Sequence, residues 1–300
     1  MNSFCDNVQL AWQVVHATAQ AVLSIKRPSQ GTEKDEVNVG HHAIVIEGDT
    51  FSQTLGLQIL AHAGGKFLTE EKQDKGVVAE SRLITQEGFA SVMEEELVWI
   101  FDPLDGSSFK NRQLPEWSVS LGVVSMGNHI GGAIFTPEIF GGFGVLGERT
   151  KGVMIYEQGN FRSASNMLSQ QRKKSVVFMG LDTYFVSGFS HFVREMAVAI
   201  QTTSSTSCAL GLAYLVAGKI DALVQPVQAP WDWAAGYPLV EEVGGKFQFF
   251  HYRDGSITAL ARPDVKSYDP VWRNTAFIAG EPDIVDWLFD LLQQNWRRPQ

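Results

Sequence analysis

The chain has 300 residues, a hydrophobic fraction of 44%, 28 glycines and a formal net charge of -9. That composition excludes a disordered chain and supplies material for a sizeable core. The acidic balance argues against nucleic acid or an anionic membrane as partner, since both select clustered Lys and Arg.

In chain order, apolar residues at helical spacing over 8–26 predict a first helix, "VQLAWQVVHATAQAVLSIK". Gln13, His16, Thr18 and Gln20 interrupt it and no positive cluster precedes it, so it reads as amphipathic, not as a signal peptide or membrane span. The two cysteines, Cys5 and Cys208, have no ligand-like spacing and point to a reducing, cytoplasmic setting. "RPSQGTEKDEVNVG" carries no period and reads as a loop; His41 and His42 just beyond it are metal ligands by type only. From Asp49, placed at the N-cap, "DTFSQTLGLQILAHAGG" predicts a helix of about four turns.

Strand-like pieces follow: "GKFLTEE", "SRLITQEG", "ELVWIFDP", "EWSVSLGVVS", "IGGAIFTPEIFGGFGVL" and "GVMIYEQG". The basic run Arg172 to Lys174 reads as a solvated cap before the strand "SVVFMG". Helix and strand then alternate through "GFSHFVREMAVAIQ", "SCALGLAYLVAG", "DALVQPV", "WAAGYPLVEEVGG" and "KFQFF", the pattern of a layered α/β protein. A change of pattern near residue 150 divides the chain into an N-terminal α+β half, 1–150, and a C-terminal α/β half, 151–300, within one integrated unit.

Two stretches carry chemistry. "WIFDPLDGSSF", Trp99 to Phe109, runs an apolar strand into Asp102 and Asp105 and then into Gly-Ser-Ser. "DPLDG" is also a good turn sequence. A Gly-Ser-Ser run, however, can open a helix whose N–H groups attract phosphate, and carboxylates beside an anion site imply a cation between them. Hard oxygen ligands favour Mg²⁺ or Mn²⁺. The second stretch, "APWDWAAGYPLVEEVGG", places Asp232 at an N-cap and closes on Gly244-Gly245, with Pro238 inside the predicted helix.

Together these segments resemble the inositol monophosphatase family, within the group of Mg²⁺-dependent, lithium-sensitive sugar-phosphate phosphatases. The family's Trp-x-x-Asp-Pro-x-Asp-Gly-Thr/Ser signature matches "WIFDPLDGSS", and its Trp-Asp-x-Ala-Ala-Gly signature matches "WDWAAG". "VIEGDTFSQ", "FLTEEK" and "ALGLAYLVAGKIDALVQP" are similar to further family segments, so the likeness covers nearly the whole chain. It implies an αβαβα sandwich of the inositol monophosphatase and fructose bisphosphatase type, usually a homodimer, hydrolysing a small phosphorylated substrate with two or three Mg²⁺ ions, or Mn²⁺. Carried over by position, Glu70, Asp102, Asp105, Asp232 and the Leu104 carbonyl would hold metal, with Asp102 bridging. Ser107 and Glu70 would orient the attacking water, with Asp105 beside them in the catalytic set. The backbone of Gly106 and Ser107 would receive phosphate, and Ser207, Cys208, Gln225 and Asp232 would line the substrate site.

Four departures bear on this. "TQEG" makes Glu87 a rival to Glu70; Glu70 is preferred because one helix and one strand separate it from Asp49, which leaves residues 72 to about 96 as an insertion, read as a hairpin. "SSFK" replaces the family's Thr-Thr-Asn-Phe, putting Lys110 near the phosphate turn as a substrate contact or a solvent-facing lysine. Thr206-Ser207-Cys208 replaces Gly-Thr/Ser-Ala. Gln225 stands where inositol phosphatases carry an acid that contacts a sugar hydroxyl. The leading expectation is a Mg²⁺-dependent phosphomonoesterase for a small polyol phosphate; histidinol-phosphate, nucleotide or fructose-bisphosphate hydrolysis by the same metals, and metal and ligand binding without catalysis, are the alternatives.

Overall fold

The computed structural model describes residues 4–25, 32–33, 44–45, 47–71, 77–84, 92, 94–164, 176–180, 187–205, 207–226, 228–253, 256–261 and 275–296. His41, His42, Glu87, Thr206 and the Arg172–Lys174 run lie outside them.

Helix α1, Asp6–Leu23, turns Val8, Ala11, Trp12, Val15, Ala19 and Val22 inward at helical spacing. A short antiparallel pair, β1 (Thr32–Glu33) and β2 (Ile44–Val45), leads to α2, Glu47–Leu60. Then come β3 (Lys66–Thr69), β4 (Leu97–Asp105), the short helix α3 (Ser107–Asn111), and β5 (Ser118–Ser125), β6 (Asn128–Thr136), β7 (Phe143–Glu148), β8 (Gly152–Glu157) and β9 (Asn160–Ser163). Strands β3 to β9 form one sheet in chain order, β3 and β4 parallel and every later pair antiparallel.

The second sheet draws on β10 (Val176–Gly180), β11 (Gln201–Ser205), β12 (Ala222–Gln225), β13 (Lys246–Arg253), β14 (Ser256–Leu260) and β15 (Thr275–Gly280), in the order β11-β10-β12-β15-β13-β14. Between these strands lie α4 (Ser190–Ala199), α5 (Cys208–Val216), α6 (Pro230–Trp233) and α7 (Gly236–Glu242), and α8 (Pro282–Asn295) follows them. Helices α1 and α2 cover one sheet, α5, α6 and α7 fill the space between the sheets, and α4 and α8 cover the other sheet. The result is the expected αβαβα sandwich.

Three apolar clusters match these layers. Phe67, Phe101 and Phe135 are fully buried under the first helices, each worth about 1.5–3 kcal/mol of transfer free energy. The middle layer sits close to the first sheet. A Cβ on Gly122 would lie 2.8 Å from the Ala234 carbonyl carbon, so a side chain there would push α6 off the strand.

Several local expectations change. "SRLITQEG" is not a strand among the described residues: Glu80–Arg82 forms a 3₁₀ turn and Leu83 makes one isolated bridge to Phe67. "IGGAIFTPEIFGGFGVL" is two strands, β6 and β7, because Pro137 follows Thr136 and cannot donate to a ladder. The helix predicted around Pro238 is two helices. Pro238 has no N–H for the Ala234 carbonyl and falls in the first turn of α7, where none is needed. Asp49 and Asp232 are not N-caps: both are third residues, of α2 and α6.

His129, at the start of β6, is buried against Trp233 and Tyr237, with Nδ1 lacking a hydrogen-bond partner. Burial, with help from the Arg149 charge, pushes its pKa down to about 4, against an opposing hydrogen bond with Ala234. The folded protein therefore prefers the neutral ring; that contribution is fully present above pH 6.5 and is lost as pH falls toward 4. Over that window His129 is expected to cost on the order of 3 kcal/mol of stability. Urea denaturation at pH 7 and pH 4.5 of wild type and His129→Gln checks this: the variant is expected to lose less stability on acidification, and equal losses would contradict the assignment.

Candidate active site

The site grows from the end of β4. The strand runs through Asp102, Pro103, Leu104 and Asp105, and its register with β5 shifts between the two aspartates. That irregularity is what an apolar strand needs to turn two acids three apart toward one point. The Leu104 N–H donates to Asp102 Oδ1 at 3.0 Å, and Ser52 of α2 donates to the Pro103 carbonyl at 2.5 Å.

Glu70 arrives from the parallel neighbour β3. Thr69 pairs with Phe101, and the Glu70 N–H continues to the Phe101 carbonyl at 3.3 Å, which sets Glu70 beside Asp102. Asp232 arrives from the middle layer. Its Oδ2 accepts the Ala229 N–H at 2.7 Å, while Ser120 donates to the Trp231 carbonyl at 3.0 Å and ties α6 to β5. Asp102, Asp105 and Asp232 each offer a carboxylate oxygen within 4.8 Å of the others.

Four acids in one place are costly. Burial, then the charges of Glu70, Asp105 and Asp232, raise the Asp102 pKa well above the ordinary carboxylate range. Asp105 is pushed up to about 7: burial outweighs the donors Ser207 and Ala209, and the Glu70 charge adds to it. Asp102 Oδ2 is buried without a hydrogen-bond donor. An acceptor-only oxygen cluster of this kind fits a hard divalent cation, which supplies the missing positive charge.

Behind the acids the chain turns at Gly106, with φ 89°, into α3. A Cβ there would lie 2.9 Å from the Glu116 carbonyl, so both the left-handed backbone and the close approach call for glycine. Ser107 opens α3, at a helix end whose first amides have no intrahelical acceptor. Ser207 is the N-cap of α5: its Oγ donates to Asp105 Oδ2 at 2.8 Å and accepts the Leu210 N–H at 3.1 Å, while the Ala209 N–H donates to the same Oδ2 at 2.6 Å. The Ser207 hydroxyl thus serves Asp105.

Cys208 is buried at the start of α5, and Gln225 is buried at the end of β12 with Oε1 accepting from Gln228 Nε2 at 3.2 Å. Lys110 is neither solvent-facing nor unpaired. Its side chain is 11% exposed, its ammonium lies 3.8 Å from Glu138 and over the Trp117 ring, and the Trp117 indole N–H donates to Glu138.

Sequence reasoning missed the serines, Ser52, Ser118 and Ser120. For Ser118 and Ser120 a signal was available in "WSVSLG", where hydroxyls alternate with apolar residues along a strand that is buried from Ser118 through Val124; nothing comparable marks Ser52.

Comparison with known proteins agrees with this geometry. The model of the inositol monophosphatase family matches residues 5–282, and the chain belongs to that family. It is 29% identical to the inositol-1-monophosphatase of Bacillus subtilis over 178 residues, 55% of this chain and 62% of that one. It is 27% identical to the Nus factor SuhB of Escherichia coli K12 over 172 residues, 54% of this chain and 61% of that one. The chain thus spans about three fifths of the length of these relatives. The fold is shared with the extragenic suppressor protein suhB of Bartonella henselae, with TM-score 0.71, 20% identity, and 96% and 99% of the two chains covered. No helix among the described residues is long and apolar enough to cross a membrane.

Without a cation, the neutral form of Asp105 contributes stability that is fully present below pH 3.8 and is lost as pH rises through 7. A bound cation reverses the preference. Mg²⁺ is therefore expected to raise Tm by several degrees at pH 8 and by much less at pH 5.5, where protons compete for the carboxylates. Differential scanning fluorimetry with and without Mg²⁺ checks it, and an equal gain at both pH values would count against these acids as ligands.

Proposed function

We propose that this member of the family is a Mg²⁺-dependent phosphomonoesterase that hydrolyses a small polyol or related phosphate. The observation that carries the reading is the convergence of Asp102, Asp105 and Asp232 to within 4.8 Å, with Glu70 alongside and the Gly106 turn immediately behind. Glu70, Asp102, Asp105, Asp232 and the Leu104 carbonyl would hold two or three Mg²⁺ ions, or Mn²⁺. Bound there, the ions supply Lewis acidity and neutralise charge on the phosphoryl group.

The chain's own groups do the rest. The Gly106 and Ser107 backbone receives phosphate, and Ser107 with Glu70 orients a water for in-line attack on phosphorus. A new P–O bond forms from water, the ester P–O bond breaks, and the alcohol leaves with a proton. Catalysis of this kind is mostly positioning and charge neutralisation around a loose transition state. Asp232 and Cys208 border the substrate, and Gln225 meets it with an amide, which both donates and accepts. The two free cysteines suit a reducing cytoplasm, and the family resemblance implies a homodimer as the working unit.

A second reading, in which metal and ligand bind without turnover, draws on the "SSFK" and "TSC" departures and on the Nus factor name of the Escherichia coli relative.

Phosphate release from inositol, histidinol and fructose phosphates, with and without Mg²⁺, separates the readings; metal-dependent turnover on at least one is expected, and ligand binding by calorimetry without hydrolysis on any would favour the second. Asp102→Asn and Glu70→Gln are each expected to lower kcat by more than about a hundredfold, beyond what loss of an outer hydrogen-bond partner costs, whereas Glu87→Gln changes it little. Full turnover in Asp102→Asn would refute a role for Asp102 in holding metal.

A further inference from the structure

Ser118 is the first residue of β5 and is fully buried. The ladder sets it directly opposite Asp105, and its Oγ lies 3.0 Å from the Ser207 Oγ. Among the described residues this is the hydrogen bond that its side chain makes. No step in the reaction above uses it.

Counting protons gives the contact a direction. Ser207 Oγ donates to Asp105 Oδ2, and once a cation is bound the carboxylate is ionised and only accepts, so the single Ser207 hydroxyl proton is committed there. The Leu210 N–H takes one lone pair of Ser207 Oγ. Ser207 therefore has no proton left for Ser118, and Ser118 must be the donor into its second lone pair. The chain of hydrogen bonds runs one way: Ser118 to Ser207 to Asp105.

Asp105 Oδ2 also receives the Ala209 N–H. The Cys208 N–H is a further donor to this carboxylate, and together the donors decide how the carboxylate is turned toward the other acids. Ser118 is the member that reaches from the sheet that carries Asp105 to the α5 end that carries Ser207. Outer partners that orient metal ligands typically matter by about 10–100-fold in metal affinity.

We propose that Ser118 is a positioning residue for the metal site: by donating to Ser207 it holds the Ser207–Asp105 bond and so sets the aim of the Asp105 carboxylate. This rests on the reading of the acid cluster as a cation site, and its test needs no turnover.

The test is the Mg²⁺ concentration giving half of the maximal rise in Tm, measured by scanning fluorimetry and by calorimetric Mg²⁺ titration at pH 8, for wild type, Ser118→Ala, Ser207→Ala and the double variant. Ser118→Ala is expected to raise that concentration about tenfold. In the Ser207→Ala background it is expected to add less than about twofold, because the link it acts through is already gone. Ser118→Cys, close in volume but a weak donor, is expected to fall between wild type and Ser118→Ala and guards against a packing effect. An unchanged midpoint in Ser118→Ala, or full additivity with Ser207→Ala, would overturn the proposal while leaving the cation site in place. If wild type binds no Mg²⁺ by either measurement, both fall together.

Discussion

Repulsion among buried carboxylates is the constraint to which the rest of the molecule answers. Asp102, Asp105 and Asp232 converge, Glu70 stands beside Asp102, and the charges of Glu70, Asp105 and Asp232 all disfavour ionisation of Asp102. A fold that merely needed a core would not gather them. Nearly every polar contact around the site fixes the acids or the segments that carry them: Ser52 on Pro103, Ser120 on Trp231, Ala229 on Asp232, and Ser207 with Ala209 on Asp105. Hydroxyls and backbone amides suit this task, since they supply donors without adding a second net charge that would compete with a cation.

The architecture makes the gathering feasible. One sheet brings Glu70, Asp102 and Asp105 on two parallel neighbours, and the layer between the sheets brings Asp232 and the α5 end. The acids thus come from the ends of strands and from a helix end, not from long loops. Rigid placement of this kind keeps like charges in register at a site that the chain alone does not stabilise.

Much of this was legible before the structure. "WIFDPLDGSS" and "WDWAAG" carry the resemblance to the family and with it the order of layers, whereas "DPLDG" taken alone reads equally well as a turn. Local propensity misled where a single residue redirects the backbone: Pro137 splits one apolar run into β6 and β7, and Pro238 separates α6 from α7. The alternation in "WSVSLG" marks Ser118 and Ser120 as unusual, but the partners of Ser118, Ser120 and Ser207 were hidden for another reason. A serine's partner is set by tertiary register, which no local pattern reports, so Ser207 read as a substrate contact while its hydroxyl in fact reaches Asp105. Lys110 shows the same limit, since nothing in "SSFKN" announces Trp117 and Glu138.

The placement of β15 has a consequence for how such a chain is made. Strands of the first sheet pair with their successors, so that sheet can zip up as residues 66–163 leave a ribosome. The second sheet cannot. Strand β15 belongs between β12 and β13, both synthesised earlier, and until residues 275–280 emerge each of those strands waits with an open edge. A nascent chain of this design passes through an interval in which its first sheet is formed and its second is interrupted, and the two inner edges of β12 and β13 close when that last strand is inserted.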